Sequence, residues 1–205
     1  MPKRTAAGAL TVLAITGLTL GAVLAPPAGA ATKVPGFLAA GDLPPHPTSS
    51  WTAGKVTAGV PEDTEWDTCL RSLPGHENVW HRDFRTDLDT GARQITVVLP
   101  DTRSAKSLYS ALEKDIPSCP ARIEGADPET DASAKDYGKL PVEEGAHVYG
   151  LHTESSGGAN DIRLLSAGRD GRTVTVVDWG ELGDFGDAPV KAFKKTTTTA
   201  VNKLH

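Results

Sequence analysis

Six histidines are the first residues in this chain that could do chemistry: His46, His76, His81, His147, His152 and His205. Zinc hydrolysis asks for two or three imidazoles or carboxylates around one ion. His76 and His81 lie five apart across an expected turn, and His147 and His152 lie five apart on an expected strand. An odd separation sends strand side chains to opposite faces, so the second pair cannot share an ion unless a bulge intervenes. No His-Glu-x-x-His occurs, and these residues read as ordinary surface histidines. Acyl transfer would need a poised serine. Gly-x-Ser-x-Gly is absent, and Ser155 and Ser156 precede Gly157-Gly158 in what reads as a solvated loop. The run from Asp178 to Asp187 sets four carboxylates on a Gly-rich stretch that could hold calcium, but its spacing is not that of an EF-hand. The simpler reading is an acidic connection whose Leu182 and Phe185 tuck against the core. Neither Gly-x-Gly-x-x-Gly nor a Walker arrangement occurs. We therefore expect no cofactor, no metal and no catalytic residue.

Recognition is better represented. Four tryptophans, Trp51, Trp66, Trp80 and Trp179, lie at or beside expected element ends. Grouped with Arg82, Arg163 and Asp178, they could line an apolar cleft carrying a few placed polar groups, the usual form of a small-molecule site. Plain packing of each indole in the core is the competing reading.

The elements that must position these residues follow from pattern. Residues 31–61 hold Pro35, Pro44, Pro45, Pro47 and Pro61 among Gly, Ser and Thr, and read as an extended lead-in that touches the body at Phe37-Leu38 and Trp51. Thr64 to Leu73 is a short helix candidate stopped by Pro74-Gly75. Val79 to Leu88 alternates, with Trp80, Arg82, Phe84, Thr86 and Leu88 on one face and His81, Asp83, Arg85 and Asp87 on the other. Arg93 to Pro100 is β-branched, and Asp89-Thr90-Gly91 has the chemistry to join the two as a hairpin. Asp101 caps the clearest helix, where Ala105, Leu108, Tyr109, Leu112 and Ile116 recur at spacings of three and four. Residues 124–136 are acidic, Ala-rich and broken by Pro, so they read as a surface loop.

Three more strands are expected, at Ala146 to Thr153, Asp161 to Ala167 and Arg172 to Trp179. A two-residue Asp170-Gly171 turn would set Leu165 opposite Val176 and Arg163 opposite Asp178. The alternative four-residue loop would oppose Asp161 to Asp178, two like charges. Asp187-Ala188-Pro189 then starts a terminal helix with Val190, Phe193, Thr197, Val201 and Leu204 on one face, weakened by the run Thr196 to Thr199. The order β-β-α-β-β-β-α predicts an α+β fold, a mostly antiparallel twisted sheet of about five to six strands with helices packed on one face.

The chain has 205 residues and a formal charge of −5. Lys3 and Arg4 precede an apolar stretch, Leu10 to Leu24, which Pro26-Pro27 breaks before Ala28-Gly29-Ala30. That is the three-part pattern of a secretory signal over residues 1–30. Without it, 175 residues remain, about a third of them apolar, and the charge becomes −7. Bulk positive charge for nucleic acid is excluded, and the stretch is too short to span a bilayer comfortably. In an oxidising compartment the two cysteines, Cys69 and Cys119, are expected to form a bridge rather than remain reactive thiols. No cysteine sits at the cleavage site, so we expect a secreted or wall-associated product without a stable membrane anchor. Residues 62–205 are expected to form a single domain.

The ordered series of features resembles a known family. It comprises the leader, Phe-Leu-x-Ala-x-Asp-Leu-Pro from Phe37 to Pro44, Trp66 before Cys69, Ile-Thr-Val-Val-Leu-Pro from Ile95, a helix running to Cys119, and Thr-Val-Val-Asp-Trp-Gly from Thr175. Together these are similar to the actinobacterial extracellular sensor domain typified by PknH-type receptor kinases, here in a stand-alone secreted form. The likeness covers about Phe37 to His205. It implies a twisted antiparallel sheet with a cleft for an extracellular ligand. This chain differs in having one cysteine pair where kinase-attached domains have two, and in carrying neither kinase nor membrane span. The expectation is a monomeric, secreted, sensor-like module that binds an extracellular small molecule or cell-wall component without catalysis. The alternatives are a secreted hydrolase with an unrecognised site and a structural or partner-binding wall protein.

Overall fold

Strand-forming sequence runs almost continuously from Asn160 to Leu182, and this stretch builds the centre of the sheet. The computed structural model describes residues 33–62, 68–73 and 75–205. The leader, Trp66 and the first half of the helix expected over Thr64 to Leu73 lie outside the described residues; Thr68 and Cys69 are helical.

Eight strands form one antiparallel sheet: β1 (Thr52–Ala53), β2 (Thr57–Ala58), β3 (Val79–Arg85), β4 (Gly91–Val98), β5 (Thr130–Leu140), β6 (Ala146–Ser155), β7 (Asn160–Asp170) and β8 (Thr173–Leu182). Their order is β1-β3-β4-β8-β7-β6-β5, with β2 also on β3. Three α-helices are present among the described residues: α1 (Thr102–Asp115), α2 (Cys119–Ala126) and α3 (Val190–Asn202). The α+β class is therefore as expected. Six strands are long, and two dipeptides from the Pro-rich stretch extend the edge at β3.

The helices are not all on one face, as the element order had suggested. Ala105, Leu108, Tyr109, Leu112 and Ile116 of α1 pack with Ile95, Val97, Tyr149, Leu165, Val174 and Val176. Phe193 and Ala200 of α3 pack with Phe84, Val148, Ile162, Leu164, Val177 and Trp179 on the other side. The reason is visible in β8, where every residue from Thr173 to Trp179 is buried. A strand covered on both sides needs a layer on each.

Three further differences have physical causes. Residues 124–136 are not a loop: they finish α2 and begin β5. As the edge of the sheet, β5 is exposed along most of its length, so it carries no apolar alternation to reveal it. The β7–β8 hairpin pairs Asp170 with Thr173, Leu165 with Asp178 and Arg163 with Gly180, so the turn is Gly171-Arg172 rather than Asp170-Gly171. Gly171, at φ 53°, takes the first central position, where a type II′ turn demands positive φ, whereas the expected register would have placed Asp170 there. The Asp187 side chain accepts from Asp184 N at 2.9 Å instead of capping α3.

The threonine run is accommodated by hydrogen bonds. Thr196 donates to Asp42 O at 2.6 Å and Thr197 to Ser166 Oγ at 3.0 Å, while Thr198 and Thr199 donate back to Lys194 O and Lys195 O. The Pro-rich stretch is likewise held to the body. Leu38 and Leu43 are buried, Leu38 N donates to Gln94 Oε1 at 2.7 Å, and Lys203 pairs with Asp42.

On the α1 face, Asp101 Oδ1 accepts from Ser104 N at 2.7 Å and starts that helix, as its sequence predicts. The disulfide Cys69–Cys119 joins the segment before β3 to the start of α2, both sulfurs in the core.

Candidate functional site

A cleft of about 830 Å³ opens at one end of the sheet, on the α1 and α2 face. Six long strands contribute an end to it: β3, β6 and β8 as they finish, β4, β5 and β7 as they start. Thr68, Cys69 and Ile123 supply a wall. The bridge therefore braces the cleft as well as the core.

Its floor is a row of alternating charges set by strand pairing. Asp83 is opposite Arg93, and Arg93 is opposite Asp178. Arg163 lies diagonally from Asp178 on the same face and pairs with it through two of its three guanidinium nitrogens, Nε to Oδ1 at 3.3 Å and Nη2 to Oδ2. Arg93 pairs with Asp83. Opposite charges on neighbouring strands stabilise the pairing, and a two-point Arg–carboxylate contact fixes orientation. Room for the Arg163 stem comes from Gly180, its partner across β8: a Cβ there would lie 3.2 Å from Arg163 Cγ. Leu151, Leu182 and Ile123 add apolar surface and Thr130 and Thr153 hydroxyls.

The sequence-derived candidates separate into two groups. Arg163 and Asp178 line the cleft. Trp179 is buried on the α3 face, with Trp51 packed against the same cluster. Trp51 Nε1 donates to Pro44 O at 2.6 Å. Arg82 donates to Gly54 O at 2.8 Å and Leu38 O at 2.9 Å, and its guanidinium stands over the Phe84 ring at 5.6 Å. Trp80, alternating with Arg82 and Phe84, is also on that side, half-buried and opposite Ala58. These four residues hold the Pro-rich stretch down, away from the cleft; Trp66 lies outside the described residues. Asp83 and Arg93 were missed as site residues. The signal was strand parity, since Asp83 alternates away from Arg82 and Arg93 shares a face with Ile95 and Val97.

The acidic run does not converge. Asp178 sits in the floor, Glu181 accepts from the Thr90 hydroxyl at 3.1 Å, and Asp184 and Asp187 hydrogen-bond within their own turn. Leu182 is 58% exposed rather than tucked into the core, because β8 continues through it and parity turns it to the cleft face. Phe185 does reach the core. Among the described residues no group of three or more His, Cys, Asp and Glu could hold a metal ion.

His147 departs from the expectation of surface histidines. It is 7% exposed, at the opposite end of the same face. Its Nε2 is 2.8 Å from Asp136 Oδ1, and its Nδ1 is 3.2 Å from Glu113 Oε1 and 2.8 Å from Tyr149 Oη. His152 is on the other face, as parity requires, with Nε2 against Asn160 Oδ1 and its ring beside Phe185. Burial pushes the Glu113 carboxyl up, but hydrogen bonds from His147, Lys139 and Tyr109 outweigh it and hold the group below its ordinary range. The His147 hydrogen bond does the same to Asp136. Burial, reinforced by the Glu113 charge, raises both Tyr109 and Tyr149 well above a normal phenol.

No family model matches the chain, and no curated protein matches its sequence. Among solved structures, the extracellular domain of PknH from Mycobacterium tuberculosis aligns at a TM-score of 0.48 and 11% identity, over 73% of this chain and 84% of that one. A likeness at that level carries no argument about function.

Proposed function

We propose that this chain is an exported, sensor-like binding module whose cleft takes a polar extracellular molecule or cell-wall fragment, and that it works by binding without catalysis. The observation that carries the reading is the cleft itself: a concave site of small-molecule size with an alternating Asp83–Arg93–Asp178–Arg163 floor. The paired charges of the floor present donors and acceptors in a fixed order, and Asp89, Asp161 and Glu181 around them make the lining acidic as a whole. That arrangement suits a ligand rich in hydroxyl, amide or amine groups better than an acyl chain. The leader and the disulfide favour an oxidising, extracellular setting. The hydrolase alternative would need a histidine bonded to both a serine hydroxyl and a carboxylate; among the described residues the six histidines show no such pair of partners.

Thermal unfolding with muropeptides, oligosaccharides and phospholipids tests this. A ligand at about 100 times its Kd stabilises by about 2.7 kcal/mol, a rise of roughly 5 °C or more in Tm. Thr153→Trp, which fills the cleft and removes none of its charged residues, should abolish the rise. A rise that survives this substitution places the site elsewhere, and turnover of any of these compounds by the purified domain argues for the hydrolase.

A further inference from the structure

We propose that His147 is a proton-operated clasp fastening the edge strand β5 and helix α1 to β6. Both ring nitrogens face carboxylate oxygens on different elements, Nε2 toward Asp136 of β5 and Nδ1 toward Glu113 of α1. A protonated imidazole donates on both sides and ties three elements with one ring. A neutral imidazole has one N–H and one lone pair, so one carboxylate loses its donor.

Tyr149 decides which one. Its hydroxyl is 2.8 Å from Nδ1, and the two rings stack at 4.2 Å. Once Nδ1 carries a lone pair, the Tyr149 O–H can donate to it, Nε2–H stays on Asp136, and Glu113 is released by His147. The other groups facing the cluster are fixed in kind. Lys139 of β5 stands 3.2 Å from Glu113, and Lys135 of β5 lines the hollow beside the ring. Tyr109 of α1 hydrogen-bonds Glu113, and Arg169 of β7 acts on Tyr109. Released Glu113 is thus left to Lys139 and Tyr109, so the α1 contact passes from buried β6 to a lysine whose side chain is 69% exposed. Asp136 also accepts from Gly138 N at 2.7 Å, at the bulge where the β5 register shifts. The ring therefore holds the irregular part of an edge strand whose outer side has no neighbour among the described strands. Deprotonation would leave that hold on β5 in place and free the end of α1 from β6.

Amide hydrogen exchange on the full chain, with ring nitrogen shifts of His147 read on the same samples, tests this from about pH 6 to about pH 8.5. As the ring passes from two protons to one, protection of the last turn of α1 should fall roughly tenfold beyond the intrinsic change in exchange rate, the scale of one charge-assisted hydrogen bond, while β5 at Asp136, β4 and β8 stay constant. His147→Gln should lack the step. A ring already singly protonated at the acid end, or protection of the last turn of α1 that follows only the intrinsic rate, overturns the proposal. The wild-type measurement decides even if the substituted chain fails to fold.

Discussion

Asp178 and Gly168 show how narrowly single positions are specified. Asp178 is buried, directly opposite Arg93 on the neighbouring strand, and its carboxylate makes the two-point contact with Arg163. Asp178→Ala should destabilise by roughly 3 kcal/mol, the low side for breaking a buried pair, because Arg163 keeps some contact with water. Urea unfolding gives the value, and the same substitution should weaken cleft binding. At Gly168 a Cβ would fall 2.3 Å from Val201 Cγ2 and 3.1 Å from Ala146 Cβ, so Gly168→Ala should cost about 1–3 kcal/mol by forcing α3 off the sheet. Neither role is legible in the sequence. Arg163 and Asp178 were paired from turn chemistry in a register two residues off, and they meet anyway because a diagonal neighbour on the same face is still within reach of a long side chain. His147 was classed with surface histidines because its burial is imposed by Glu113, thirty-four positions away on another element.

At the scale of elements, legibility followed burial pattern. Helix α1 was readable to its cap because one face is buried and the other wet, β3 because it alternates, β4 and β8 because β-branched residues run through them, and β7 because an Asp-Gly turn signal joins it to β8. β5 was not, since an edge strand with Asp131, Ser133, Lys135 and Asp136 has the composition of a loop and is defined only by its partner. The two-sided burial of β8 was written in Thr173 to Trp179 but was masked by threonines, whose hydroxyls bond within the sheet: Thr175 donates to Ile95 O at 3.1 Å. The Pro-rich stretch belongs with the body for a similar reason, its anchors being buried leucines spaced among prolines. Leu38→Ala should cost about 2–5 kcal/mol, as for any fully buried leucine; a cost below about 1 kcal/mol by urea unfolding would show the stretch to be dispensable. Reducing the bridge, or replacing both cysteines with serine, should cost about 2–4 kcal/mol and make α2 the first part to exchange, since the bridge ties its first residue to a segment fifty residues earlier.

For the whole molecule, pH and ligand are the two levers. Glu113, Asp136 and Asp42 are each held below the ordinary carboxylate range, Asp42 because the Lys203 hydrogen bond outweighs the upward push of burial. Groups whose folded pKa is depressed contribute stability that is present above the unfolded value and lost as pH falls through the folded one. Stability by urea unfolding should thus decline from about pH 4 downward, with β5 and the N-terminal contact to α3 loosening first; a midpoint flat to about pH 2 would contradict it. The account's central claim is that recognition happens over the alternating-charge floor. Mapping amide shifts of the isotope-labelled protein against a muropeptide and oligosaccharide series tests it most directly. We predict that amides of Arg93, Arg163 and Gly180 move together in a saturable way while those of Trp51, Arg82 and Trp80 stay still; saturable shifts confined to that tryptophan-bearing face, or none from any compound in the series, would contradict it.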